Sequence, residues 1–287
     1  MRGWWQEIGG LVLPMGCAGC GRPRGPLCER CRAALGDGRR VARRVRPSPS
    51  PPGLPPVYAA AAYQDAVRAA LLAHKERGGL GLAGPLGEAL ACALRALVSA
   101  EGRRLRAVVG WGHLPAVAGG GRAAGGGGWI WLVPVPSARR AVAARGHDPV
   151  LRLAIAAAGV LRRGGLRARV LPVLRQRRAV RDQAGLDARQ RRANLAGALG
   201  VVPGLVPAGG RPSRAVVGDR RADDGRADDG RVPLFGRVVL VDDLLTTGAS
   251  IAEAARVVRR NVGPVTGAAV IAAPPVAFEL NRNSNRT

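Results

Sequence analysis

Apolar and polar positions alternate along the chain in blocks that separate strands from helices. Val238-Val239-Leu240-Val241 is wholly aliphatic and ends in Asp242-Asp243. It then passes through Leu244-Leu245-Thr246-Thr247-Gly248-Ala249-Ser250 into a helical pattern from Ile251. Four consecutive aliphatics read as a parallel strand buried on both faces. The same reading predicts strands at Tyr58–Tyr63, Ala107–Gly110, Trp129–Val135, Val170–Leu174, Arg237–Val241 and Val265–Ala272. Helices are predicted at Gln64–Lys75, Leu82–Val98, His147–Arg162 and Ser250–Asn261, with Gln183–Asn194 a helix or capped turn. Strands alternating with helices predict an α/β domain: a parallel sheet flanked by helices, with ligands at the carboxyl ends of its strands.

This pattern occupies residues 57–275, interrupted by glycine-rich and polar insertions at about 117–128 and 203–231. The second insertion carries the repeat Arg-Ala-Asp-Asp-Gly at 221–225 and 226–230, too short and too poor in Glu for a calcium loop. Residues 39–56 are basic and then proline-rich, a linker or wrapping segment. Residues 276–287 form a polar tail, and residues 1–38 a separate small module.

Cys17-Ala-Gly-Cys20 and Cys28-Glu-Arg-Cys31 define that module. Two C-x-x-C knuckles can place four thiolates around one tetrahedral ion, which predicts structural Zn²⁺ on Cys17, Cys20, Cys28 and Cys31. Gly19, Gly21 and Gly25 allow the tight turns this requires. The fifth cysteine, Cys92, reads as a small core residue.

Composition adds a strong charge. The net charge is +26, and Lys75 is the one lysine among 45 basic residues, the rest being arginine. Such a charge attracts polyanions, nucleic acid first among them, although an arginine skew of this kind also matches GC-rich codon usage. Aromatic residues make up only 3%, so stacking platforms for bases are few. No apolar run approaches the ~20 residues of a membrane span, and the short stretch at 9–15 lacks the features of a signal peptide. A cytoplasmic protein is expected.

The turn after Asp242-Asp243 offers backbone N–H groups and Thr246, Thr247 and Ser250 hydroxyls at a helix start, where a phosphate is favoured. The two carboxylates suit ribose hydroxyls or a phosphate-bound Mg²⁺. Phosphate, sugar and diphosphate together describe phosphoribosyl pyrophosphate, PRPP. A second loop, Val133-Pro134-Val135-Pro136-Ser137 with Arg139, Arg140 and Arg145-Gly146-His147-Asp148 behind it, suits the diphosphate. His147 at a helix start, and His74 and Lys75 at a helix end, read first as structural. Gln183, Arg191, Arg192 and Asn194 form a polar cluster that a solvated helix face would also explain.

The Asp242–Ser250 segment resembles the PRPP signature of type I phosphoribosyltransferases. Adding the two C-x-x-C pairs, His74-Lys75, Val133–Pro136, Arg145-Gly146, Arg175 and Gln183…Arg192-x-Asn194, the chain resembles the ComF family over most of its length. The resemblance implies a PRPP-binding, type I phosphoribosyltransferase-like domain behind an N-terminal zinc finger, and a role in DNA uptake during natural transformation or in single-stranded DNA processing. It implies PRPP contacts from Asp242, Asp243, Thr246, Thr247, Gly248, Ala249, Ser250, Pro134, Val135 and Arg145. Mg²⁺ would accompany PRPP, and single-stranded DNA and competence, helicase or recombination proteins would be partners. The alternative is an active phosphoribosyltransferase acting on a nucleobase or amine. The family's Arg-Gly-Phe-Asn-Gln is Arg145-Gly146-His147-Asp148-Pro149 here, and Pro149 has no N–H to offer. Where 6-oxopurine transferases carry an aspartate three positions after the second acid, this chain has Thr246, which is no base near pH 7. The residues name no catalytic group.

Overall fold

The computed structural model describes residues 16–23, 25–36, 42–109, 128–178, 180, 187–203 and 236–278. Nearly all of the two insertions, Gln183 and the end of the tail lie outside them. A six-stranded sheet has β1 (Arg43–Val45), β2 (Val57–Ala62), β3 (Trp129–Pro134), β4 (Ala168–Val170), β7 (Gly236–Leu244) and β8 (Val265–Ala273) in the order β1-β2-β8-β7-β3-β4. All neighbours are parallel except β1, which pairs antiparallel with β2 at one edge.

Alternation along the central strands sorts side chains to the two faces. Ile130, Leu132, Val239, Val241 and Ile271 meet α2 (Asp65–Glu76), α3 (Ala83–Val109) and α5 (Pro149–Arg163) on one face. Trp131, Val133, Val238, Leu240 and Val270 meet α7 (Ala249–Asn261) on the other. The hairpin of β5 (Leu174–Gln176) and β6 (Leu199–Val201) packs on that second face, with α6 (Ala188–Leu195) between its strands in sequence. The cysteine module is not a satellite. Cys17, Leu27, Cys31 and Leu35, the last two on α1 (Glu29–Gly36), join the first core alongside Val67 and Leu71.

Several elements depart from the sequence expectation. No strand forms at 107–109: α3 runs on to Val109. The intervening Ser-Ala-Glu-Gly-Arg-Arg-Leu-Arg-Ala holds no proline and is rich in helix formers, so nothing stops the helix before the β-branched pair Val108-Val109. The single strand expected at Val170–Leu174 is two, β4 and β5 in different sheets, with Pro172 between them. The helix expected from His147 begins at Pro149, with Asp148 capping the N–H groups of Val150 at 2.9 Å and Leu151 at 3.3 Å. Proline at the first helical position lacks only an N–H that the helix does not use. A short α4 (Arg139–Arg145) precedes it, where only a loop was expected. In the proline-rich stretch 39–56, residues 43–45 form the edge strand, and Pro47 and Leu54 lie over Gly248. The segment Leu80–Arg104 is long and apolar enough to cross a membrane by length and composition alone. Its Leu86, Leu90, Leu94 and Leu97 are fully buried against the sheet and α5, as in a core helix.

The crossing of α3 and α5 is set by Gly87. A Cβ there would lie 2.5 Å from Cβ of Ala156 and 3.1 Å from the Ala157 nitrogen, so backbone as well as side chain would have to move. Replacing glycine inside a helix gains up to ~1 kcal/mol of propensity, and overpacking costs about 1–3 kcal/mol. A leucine, which adds four carbons, should be net destabilising: urea melts of Gly87→Leu should show a lower midpoint with an unchanged m-value.

Candidate functional site

Strands β3 and β7 are neighbours whose chains leave in opposite directions. From β3 the chain crosses through α5 on one face to β4; from β7 it crosses through α7 on the other face to β8. This is a topological switch point, where the carboxyl ends of adjacent strands open a crevice. Pro134 pairs with Val241, and the Val135 N–H donates to the Val241 carbonyl at 2.9 Å. The proline-rich exit of β3 therefore sits beside Asp242 and Asp243, and the two segments singled out in sequence are brought together.

The paired acids are not in a loop. Strand β7 continues through both to Leu244, so by alternation their side chains leave on opposite faces. The Asp243 N–H donates to Oδ1 of Asp242 at 2.9 Å. Lys75, at the last turn of α2, donates from Nζ to Oδ2 of Asp243 at 2.9 Å. The Asp243 carboxylate raises the Lys75 ammonium pKa, against the opposing effect of burial. Asp242 has no such cation of its own: burial first, and the neighbouring Asp243 charge second, push its carboxyl well above the ordinary range.

Arg145 is close by, but much of its guanidinium is already engaged. Its Nη1 donates to the Lys75 carbonyl at 2.7 Å and its Nε to the Ala141 carbonyl at 2.9 Å. It thereby holds α4 against the end of α2. Ser137 is tied to the start of α5 by its hydroxyl, which donates to Asp148 at 3.0 Å. His74 is buried, its Nδ1 3.3 Å from the Gly79 carbonyl and its Nε2 3.5 Å from that of Pro149. Burial lowers its pKa and outweighs the bonds that favour the charged ring. His147 lies 6.4 Å from it, with Nδ1 3.0 Å from the Arg145 carbonyl and a buried Nε2 that has no partner. Lys75 is the site residue that the sequence left in the background, read first as a helix-end charge although His74-Lys75 was part of the family resemblance.

After β7 the chain turns through Leu245, Thr246 and Thr247 to Gly248, whose φ of 76° is the left-handed conformation that glycine adopts without strain. Helix α7 starts at Ala249, whose N–H reaches the Thr247 hydroxyl at 3.5 Å. Among the described residues, the N–H groups of Thr246, Thr247 and Gly248 donate to no backbone carbonyl. Gly248 is also required for space, since a Cβ there would come within 3.1–3.4 Å of Leu54 and Pro47.

The four cysteines form a second centre. Their sulfurs all lie within 4.8 Å of one another, with Cys20 and Cys28 at 3.6 Å. Tetrahedral Zn–S bonds of ~2.3 Å set sulfur separations near 3.8 Å, so the set can hold a metal ion such as zinc. The Cys28 N–H donates to the Cys17 sulfur at 3.2 Å. Burial opposes ionisation of Cys17, but N–H groups of Cys28, Gly19 and Cys20 and the Cys28 thiol overcome it and lower its pKa to about 6. Burial and the neighbouring sulfurs raise that of Cys31. Gly21 and Gly25 take positive φ, as the turns demand, whereas Gly19 is needed for room: a Cβ there would lie 2.7 Å from the Cys31 sulfur.

Compared with family models and with curated proteins, the chain has no match.

Two outcomes follow from this geometry. Asp242 binds its proton more tightly folded than unfolded, so its contribution is favourable below the unfolded pKa and is lost as pH rises towards the folded one. Asp242→Asn should therefore raise the melting temperature near pH 7, at about 2–4 °C per kcal/mol relieved, and the gain should vanish near pH 4. Thermal melts across that range check it. Gly19→Ala should lower bound metal per chain on purification without added metal, as Cys17→Ser should; elemental analysis reads both.

Proposed function

We propose that this chain is a ComF-like protein that binds PRPP with Mg²⁺ and acts on single-stranded DNA, in uptake during natural transformation or in related strand processing. One observation carries the PRPP part: at the switch point of a parallel sheet, an Asp-Asp pair and a glycine turn into a helix stand beside a proline-rich strand exit. In this reading Thr246, Thr247, Gly248, Ala249 and Ser250 receive the 5′-phosphate, and Asp242 and Asp243 the ribose hydroxyls. Pro134 and Val135, with Arg145 behind them, border the diphosphate. Mg²⁺, a hard cation that takes oxygen ligands, suits both the carboxylates and the diphosphate. The four-cysteine cluster holds structural Zn²⁺, and the net charge of +26 supports the nucleic-acid part. The setting would be cytoplasmic, with competence or recombination proteins as partners.

A second reading, an active phosphoribosyltransferase, draws on Lys75. In such a transfer the bond from ribose C1 to the diphosphate oxygen breaks, a bond from C1 to an acceptor nitrogen forms, and pyrophosphate leaves with the electron pair. Lys75, 2.9 Å from Asp243, places a cation at the mouth of the cleft where leaving-group charge would develop.

Calorimetric titration with PRPP and Mg²⁺ should give saturable binding. Asp242→Asn/Asp243→Asn should weaken it by tenfold or more while leaving inorganic phosphate binding less affected. Equal PRPP affinity in the double variant would remove the site. Pyrophosphate release on adding nucleobases separates the second reading from the first.

A further inference from the structure

A groove of about 620 Å³ lies against the flank of α7, beside the turn that follows Asp242–Asp243. Pro51, Pro52 and Gly53 of the wrapping segment wall one side, and the end of α6 another. It shares only Ala249 with the proposed phosphate turn. Four arginines face it, Arg192 from α6 and Arg256, Arg259 and Arg260 from α7, against one carboxylate, Glu253.

That carboxylate is already committed. Glu253 accepts from Arg256 at 2.7 and 2.8 Å and from the Gly197 N–H at 3.0 Å. Arg259 donates to the Gly53 carbonyl at 2.8 Å, which pins the wrapping segment over the cavity. Among the described residues, Arg192 and Arg260 have no hydrogen bond or ion pair for their guanidinium groups. Arg256 and Arg260 are four apart on one helix face, a spacing at which like charges repel. Ala196, Ala249 and Ala252 add apolar lining. Surplus guanidinium groups beside apolar lining fit a ligand that is anionic along one edge and flat or apolar along the other.

We infer that this groove binds single-stranded nucleic acid. Backbone phosphates meet Arg192 and Arg260, and a sugar or base lies on the alanine and proline surface. The volume falls within the ~300–1,000 Å³ of small-molecule-sized sites, room for a unit or two of a strand. Arginine planes and phosphate contacts here supply what the scarcity of aromatics withholds. The inference deepens the nucleic-acid half of the proposed function and is independent of PRPP binding.

The test is fluorescence anisotropy with labelled oligodeoxythymidylate, at several salt concentrations, on the full chain. Arg192→Glu/Arg260→Glu should weaken binding by roughly tenfold and flatten the log K against log[salt] slope by about 1.4, two contacts at about 0.7 each. Arg103→Glu/Arg163→Glu makes the same charge change on helices of the opposite sheet face and should leave affinity within about threefold. Equal losses in both variants would assign binding to overall charge and overturn the groove, as would no loss in the first, or no oligonucleotide binding by the wild type. Thymidine monophosphate displacing the probe as well as unlabelled strand does would make the ligand a free nucleotide and overturn the strand assignment. PRPP titration of the same variants keeps the readings apart. PRPP binding that survives the groove variant while strand binding falls supports the groove; strand binding that depends on Arg192 and Arg260 without any PRPP binding leaves the groove standing and removes the cleft.

Discussion

Strand β7 is paired on both edges, with β3 and with β8, and buried on both faces. Its backbone has no freedom to shift register without turning Val239 and Val241 out of one core and Val238 and Leu240 out of the other. That constraint fixes where Asp242 and Asp243 emerge, because they are the next two residues of the same strand. It also fixes Val135 beside them through the bond to the Val241 carbonyl. The Lys75–Asp243 pair then ties a helix of the first face to the end of this strand. The cleft is thus built by the sheet and closed by one ion pair.

The two carboxylates are adjacent in sequence but stand in different electrostatic situations. Asp243, itself buried, has a cation in contact, whereas Asp242 has none at that distance, and desolvation with the Asp243 charge favours its protonated form. A pair arranged in this way is poised to accept positive charge: a cation arriving at Asp242 would relieve both causes of its raised pKa. The neighbouring Arg145 does not supply that charge fully, since two of its nitrogens serve carbonyl groups.

What sequence patterning captured were elements with strong local signals. The aliphatic strands, the helix after the glycine turn and the cysteine knuckles all declare themselves within about ten residues. It failed where tertiary context decided. Val108-Val109 has strand character, yet it follows a proline-free run rich in helix formers and stays in α3. Val170–Leu174 looks continuous until Pro172 separates one sheet from the other. Lys75 could not be placed, because its partner lies 168 residues away and no local pattern encodes that distance. A wrapping role for the proline-rich stretch was one of two readings of its composition, which does not show that it lies on Gly248 and is held by Arg259.

The chain's positive charge need not be uniform in consequence even if its origin is codon usage. Isolated exposed charges contribute little individually. The arginines around α7 differ because they converge on a concave surface bounded by apolar groups, where a low-dielectric wall strengthens the field on an anion. One wall of that cavity is the same segment that covers the glycine turn of the cleft. The two sites therefore share residues 47–54 as a common boundary. Arg259 fastens that boundary from the groove side, and Leu54 and Pro47 press on Gly248 from the cleft side. A ligand that displaced the segment in one site would loosen a wall of the other, so any coupling between them would run through this short stretch and not through the sheet, whose paired strands leave it little room to move.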